Sequence, residues 1–117
     1  MKNTSRKQGT LNEKIKDFPE IKLFLKAVQK EFAPEKVILF GSKARGDDWK
    51  QSDYDFIIVS KKFAGMHWLQ RIAKIVRFWK LLIDIDILPY TPAEFQRKKK
   101  ESSTVRAALK EGITVAS

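Results

Sequence analysis

The sequence predicts an α/β domain built on a small sheet. Three observations carry that reading. Residues 37–40 (Val-Ile-Leu-Phe) and 54–59 (Tyr-Asp-Phe-Ile-Ile-Val) are short runs rich in β-branched and aromatic residues, bounded by Gly41 and by Ser-Lys-Lys, as strands are. Residues 82–88 (Leu-Ile-Asp-Ile-Asp-Ile-Leu) alternate with period two. Around these runs, apolar residues recur at helical spacing and give the order α-β-β-α-β-α-α, too few strands for a full doubly wound sheet.

Residues 1–16 read as a flexible basic arm, because the first ten are polar and aperiodic and include Lys2, Arg6 and Lys7. Residues 17–117 read as a single domain. Asp17 is placed to cap the first helix, Pro19 suits its first turn, and Ile21, Phe24, Leu25, Val28 and Phe32 mark one face until Pro34 stops it. Between Gly65 and Lys80, the residues Met66, Leu69, Ile72, Ala73, Val76 and Trp79 form a second helical stripe. Thr91-Pro-Ala-Glu94 is a capping box with proline at the first helical position, and the helix it opens runs through the basic residues 97–100. A short helix carrying Val105, Ala108 and Leu109 then stops at Gly112, leaving residues 113–116 as an edge strand.

Composition removes several functional classes. With no cysteine there is no disulfide scaffold, zinc knuckle or thiol nucleophile, and the one histidine, His67, removes most triad and metal chemistry that needs imidazole. No run approaches the ~18 apolar residues of a membrane helix, and residues 1–14 have no apolar signal-like segment, so the expectation is a soluble cytoplasmic protein. Lys and Arg number 24 against 14 Asp and Glu, a net charge of +10 that favours a polyanionic substrate or partner. Hydrophobic residues make up 43%, enough for a core and too many for a wholly disordered basic chain.

The informative residues are acids in strands. A strand sends residues i and i+2 to one face, so Asp53, Asp55, Ile57 and Val59 point together and Tyr54, Phe56 and Ile58 point away. Asp84 and Asp86 share a face of the third strand in the same way. Two carboxylates about 6.6 Å apart at an effective dielectric near 20 repel by roughly 2.5 kcal/mol. A hard divalent cation, Mg²⁺ or Mn²⁺, turns that repulsion into attraction. A turn cap at Asp53 and an ion pair at Asp55 account for one acid more easily than for both. The second signal is Gly41-Ser-Lys-Ala-Arg-Gly46 directly after the first strand: glycines allow close backbone approach, Ser42 can donate to a phosphate, and Arg45 can bind one bidentately. A plain tight turn uses the same residues, and P-loop spacing is absent.

Gly41-Ser42, a gap of ten residues, and Asp53-Tyr-Asp55 together resemble the signature of the polymerase-β-like nucleotidyltransferase superfamily, and the fuller string is similar to its minimal nucleotidyltransferases. The likeness runs from about Phe32 to Phe95. It implies the nucleotidyltransferase fold, a small mixed sheet with helices packed mainly on one face. It implies that Gly41 and Ser42 lie against nucleotide phosphates, that Arg45 touches the β or γ phosphate, and that Asp53 and Asp55 bind metal. It also implies that Asp86 is the third acid, both a metal ligand and an aid to deprotonating the acceptor. Asp86 stands five residues before Thr91-Pro92, as that family's acid does. Asp84 shares the face, and geometry alone allows either. The implied reaction moves a nucleoside monophosphate, AMP from ATP, to a hydroxyl and releases pyrophosphate. Small members commonly pair with HEPN-domain proteins as antitoxin and toxin, and some transfer AMP to the partner's tyrosine, so such a partner is expected here. The rival readings are a module that neutralises its partner by contact alone and a basic nucleic-acid-binding protein.

Other conspicuous residues receive ordinary roles. His67 reads as a helix-boundary residue, the lysine run of residues 97–100 as a solvated face, and Asp47 and Asp48 as turn residues. Met66, Trp68, Phe78 and Trp79 exceed what a narrow core stripe requires and are expected to form a docking face.

Overall fold

Pro19–Ile21 form a turn of 3-10 helix leading into α1, Lys22–Phe32. The computed structural model describes residues 19–45 and 53–116; the basic arm, the Asp17 cap, Gly46, Asp47 and Asp48 lie outside the described residues. The five apolar residues that mark the first helical face are all buried. The helix ends at Ala33, whose φ of 42° is left-handed, because Pro34 disfavours a helical residue before it.

The remaining strands and α-helices are β1 (Lys36–Phe40), α2 (Ser42–Arg45), β2 (Tyr54–Val59), α3 (Trp68–Val76), β3 (Ile85–Tyr90), α4 (Pro92–Glu101), α5 (Ser103–Glu111) and β4 (Ile113–Ala116), with a 3-10 turn at Lys61–Phe63. The sheet order is β3-β2-β1-β4. β1 runs antiparallel to both β2 and β4, while β2 and β3 are parallel, joined by the crossover through α3. The expected edge strand is present, and the sheet is mixed.

The larger core lies on one face, where Val37, Leu39, Tyr54, Phe56, Ile58, Ile87 and Val115 pack against α1, Phe63 and Ile75. The helices do not stop there. On the other face Ile38, Ile57, Val59 and Tyr90 meet Phe95 of α4 and Val105 and Ala108 of α5. Burial on both faces explains why β2 reads as a nearly unbroken apolar run. The caps follow the sequence: Thr91 and Glu94 form a complete capping box, Ser102 accepts from Val105, and His67 Nδ1 accepts from the Leu69 N–H.

Three expectations need correction. The third strand begins at Ile85, since residues 81–83 form a bend in which Leu82 is fully exposed. The second helix also turns a different face inward. Its buried residues are Arg71 and Ile75, while Leu69 is 67% exposed and Val76 lies on the outside. Met66, Phe78 and Trp79 pack against the larger core and Trp68 against the smaller, so they are not a free docking face. Trp79 sets its ring edge-on to Phe24 at 5.0 Å and donates from Nε1 to the Ile83 carbonyl at 2.6 Å. Arg71 is tolerated inside because its donors are used. It gives Nε to the Met66 carbonyl and Nη1 to the Pro89 carbonyl, both at 3.0 Å, and meets both Glu94 oxygens at 2.6 and 3.1 Å.

Gly112 joins α5 to β4 where the backbones nearly touch. A Cβ there would lie 2.4 Å from the Ala108 carbonyl oxygen, 2.8 Å from Ile38 Cγ2 and 2.9 Å from the Leu39 carbonyl oxygen. Two of these neighbours are main chain and cannot rotate away. Gly112→Ala is therefore expected to lower stability by about 1–3 kcal/mol in urea unfolding; an unchanged midpoint would show that α5 and β4 can shift without loss.

Candidate active site

The candidate site forms where three strands meet at one end of the sheet. Antiparallel register sets Phe40 of β1 opposite Asp55 of β2, and parallel register sets Asp55 opposite Asp86 of β3. The residue after Phe40 therefore arrives over the Asp55 carboxylate. It is Gly41, with φ of +79°, and a Cβ there would come within 2.3 Å of Asp55 Oδ2. Both the left-handed backbone and the missing side chain are needed. α2 opens at Ser42, and its Ala44 and Arg45 N–H groups both donate to the Gly41 carbonyl at 3.1 Å.

Asp55 and Asp86 lie within hydrogen-bond reach of each other. Burial first, then the charge of Asp86 and the hydrogen bond shared with its carboxyl, then Asp53, push Asp55 up from 3.8 to about 6, against an opposing pull from Arg45. Asp53 precedes β2. Asp84 precedes β3, and its carbonyl accepts the Tyr54 N–H at 3.1 Å. Register thus puts Asp86, rather than Asp84, across from Asp55. Asp53, Asp84 and Asp86 line one side of a cavity of about 390 Å³, whose other walls include Val76, Trp79, Leu82 and Ile83.

The structure brings Gly41, Ser42, Asp55 and Asp86 to one sheet end, with Asp53 at its entrance. Among the described residues no three His, Cys, Asp or Glu side chains converge as a ready metal-binding group. The paired acids and Asp53 nonetheless offer carboxylate oxygens only, under mutual repulsion, a donor set that fits a hard divalent cation. Arg45 sits 3.8 Å from Glu111 in an exposed ion pair. Lys43, which had no assigned role, lies with Nζ 4.9 Å from the centre of the Tyr54 ring. The apolar walls were missed. Sequence pattern assigns Leu82 to a strand and Val76 and Trp79 to a core stripe, and no local signal sets them beside the acids.

Residues 21–114 match the sequence profile of a family described as "Nucleotidyltransferase domain". The chain belongs to the nucleotidyltransferase domain family. This nucleotidyltransferase domain is 44% identical over 55 residues to a protein of Methanocaldococcus jannaschii named, provisionally, as a protein adenylyltransferase. The match covers 47% of this chain and 56% of that protein, so the chain spans about half the length of the relative it matches. In fold it is similar to a provisionally assigned nucleotidyltransferase from Sulfolobus solfataricus, with a TM-score of 0.56 and 23% identity over 97% of this chain and 87% of that one. It is also similar to BolA1 from Arabidopsis thaliana, with a TM-score of 0.53 and 22% identity over 64% of this chain and 94% of that one. At these identities the two structures share the fold alone. Among the described residues, no helix is long and apolar enough to cross a membrane.

The Asp55 environment generates a signed expectation. A folded-state pKa of about 6 against 3.8 means that stability is fully present below pH 3.8 and is lost as pH rises through about 6. In metal-free buffer at pH 8, Asp55→Asn is therefore expected to be more stable than the parent by about 1–2 kcal/mol, after discounting the shift for solvent screening. The gap should close below about pH 4. Thermal melts across this range measure it, and a variant less stable at pH 8 would assign the carboxylate to a structural ion pair.

Proposed function

We propose that the protein transfers AMP from ATP to a hydroxyl on a partner protein, with Mg²⁺ or Mn²⁺ as cofactor. The observation that carries this reading is the in-register Asp55 and Asp86 pair beside Gly41 and Ser42, within a family of nucleotidyltransferases. AMP and the protein acceptor are supported by the name of the Methanocaldococcus relative. A divalent cation held by Asp53, Asp55 and Asp86 would neutralise charge on the attacking and leaving oxygens. Ser42 donates its hydroxyl to a phosphate oxygen, and Gly41 leaves the backbone open beside it. Arg45 reaches the β or γ phosphate from an exposed position beside Glu111, a pair worth little at the surface. Asp86 accepts the acceptor's proton as its oxygen bonds to the α-phosphorus and the bond to pyrophosphate breaks. No thiol or imidazole nucleophile is required.

The partner we propose is a HEPN-domain protein, with this chain in the antitoxin role; this pairing rests on the resemblance to minimal nucleotidyltransferases. Exposed Leu82 and Val76 stand at the acid cavity and are suited to meet a protein surface. Those side chains also support a second reading, neutralisation of the partner by contact without transfer.

The test is incubation with α-labelled ATP and Mg²⁺, with and without a HEPN-domain protein from the same genome, and a gel to locate the label. Label is expected on the partner. Asp86→Asn should reduce transfer by about 10²–10³-fold, while Asp84→Asn stays within a few-fold. Binding without label, unchanged by Asp86→Asn, would favour neutralisation by contact. Efficient labelling of a free small molecule without the partner would overturn both readings.

A further inference from the structure

A second cavity, of about 550 Å³, opens at the other end of β3, between the start of α3 and the outer side of α4. Tyr90, four residues beyond Asp86 and about 13 Å away along the strand, lies in its wall with His67, Trp68, Arg71, Glu94, Arg97 and Lys98. The size falls within the range of small-ligand sites. None of its residues takes part in the acid site.

The polar groups facing this cavity are of one kind. Tyr90 is 6% exposed as a residue, and its hydroxyl, which is open to solvent, has no hydrogen bond among the described residues. Burial and the charge of Glu94 raise its pKa, which keeps it a protonated donor. His67 uses Nδ1 to accept the Leu69 N–H at 3.2 Å, so the neutral ring carries its proton on Nε2. Arg97 and Lys98 have no side-chain ion pair or hydrogen bond among the described residues. The cavity's one carboxylate, Glu94, is taken up by Arg71 and by the Thr91 N–H. What remains is donors, two of them cationic, beside the rings of Trp68 and Tyr90, whose centroids are 5.4 Å apart. Such a surface selects a ligand with anionic oxygens and a flat ring.

We propose that this cavity binds a nucleoside phosphate, its base against Trp68 and its phosphate within reach of Tyr90, Arg97 and Lys98. The ligand is a free mononucleotide or the corresponding unit of an RNA strand. The inference does not rest on transfer at the acids.

The experiment is an amide NMR titration of the full chain in metal-free buffer with AMP, adenosine and a short oligoadenylate. Saturable AMP shifts are expected at the Trp68 indole, at Tyr90 and in α4. Arg97→Gln with Lys98→Gln, the first exposed and the second half-buried on α4, should weaken AMP by at least about fivefold, and Tyr90→Phe by about 2–10-fold. Adenosine should bind at least about tenfold more weakly than AMP, and Asp55→Asn should leave AMP affinity at this cavity unchanged. An oligoadenylate that binds tighter than AMP and loses affinity steeply with salt identifies the strand as the ligand; equal affinity identifies the free nucleotide. Shifts confined to residues 41–45 and 53–55, no saturable shift at millimolar AMP, or equal binding of adenosine and AMP would each overturn the proposal.

Discussion

Two carboxylates placed side by side across a pair of parallel strands push that pair apart, and the sheet must be held closed by something else. Here the opposing force comes from the next steps of the same ladder: Phe56 faces Ile87, Ile57 faces Leu88 and Ile58 faces Pro89. Phe56, Ile57 and Ile58 are fully buried. Each such side chain contributes roughly 1.5–3 kcal/mol on burial, more than the repulsion between Asp55 and Asp86 takes away. The register that brings the acids together is therefore fixed by apolar residues that never touch a substrate. Slipping it by one residue would turn Ile87 away from its core and break the acid pair at once.

The far end of the same strand pair is secured by the opposite electrostatic arrangement. Arg71 reaches from α3 to the Pro89 carbonyl of β3 and to Glu94 of α4, so one side chain ties three elements. Glu94 also closes the capping box on Thr91, and the hydrogen bond from Arg71 holds its carboxyl below the usual range. Buried charge is thus paired, Arg71 with Glu94, at one end of β3 and left unbalanced at the other. A strained carboxylate pair can persist where it does because the crossover helix is clamped elsewhere.

Most of this was legible in the sequence wherever a local rule decides the outcome. The strand runs, the Thr91 cap and the glycine stop at residue 112 each depend on a few neighbouring residues. The inward face of α3 was not legible. Leu69, Ile72 and Val76 make a regular apolar stripe, and periodicity marks such a stripe as core. The core beneath is instead filled by Ile75 with Met66, Phe78 and Trp79, while Arg71 is buried because the nearby Met66 carbonyl and three acceptors from distant segments meet it. No window of sequence shows acceptors that arrive 18 and 23 residues later. The start of β3 was misplaced for a similar reason. Alternation continues through Ile83, but residues 81–83 bend and pairing with β2 begins only at Ile85.

The charge balance joins the acid pair to the rest of the chain. A net charge of +10 draws polyanions toward the protein at long range, whereas the sheet end beside Gly41 presents carboxylates that repel a triphosphate at contact. On the proposed reading the two fields act in sequence rather than in opposition. The distributed lysines and arginines raise the local nucleotide concentration, and a cation arriving with the phosphates removes the repulsion where they dock. On that reading neither ligand would bind well alone, and cation and nucleotide affinity would be coupled through one pair of acids whose separation is set by strand register.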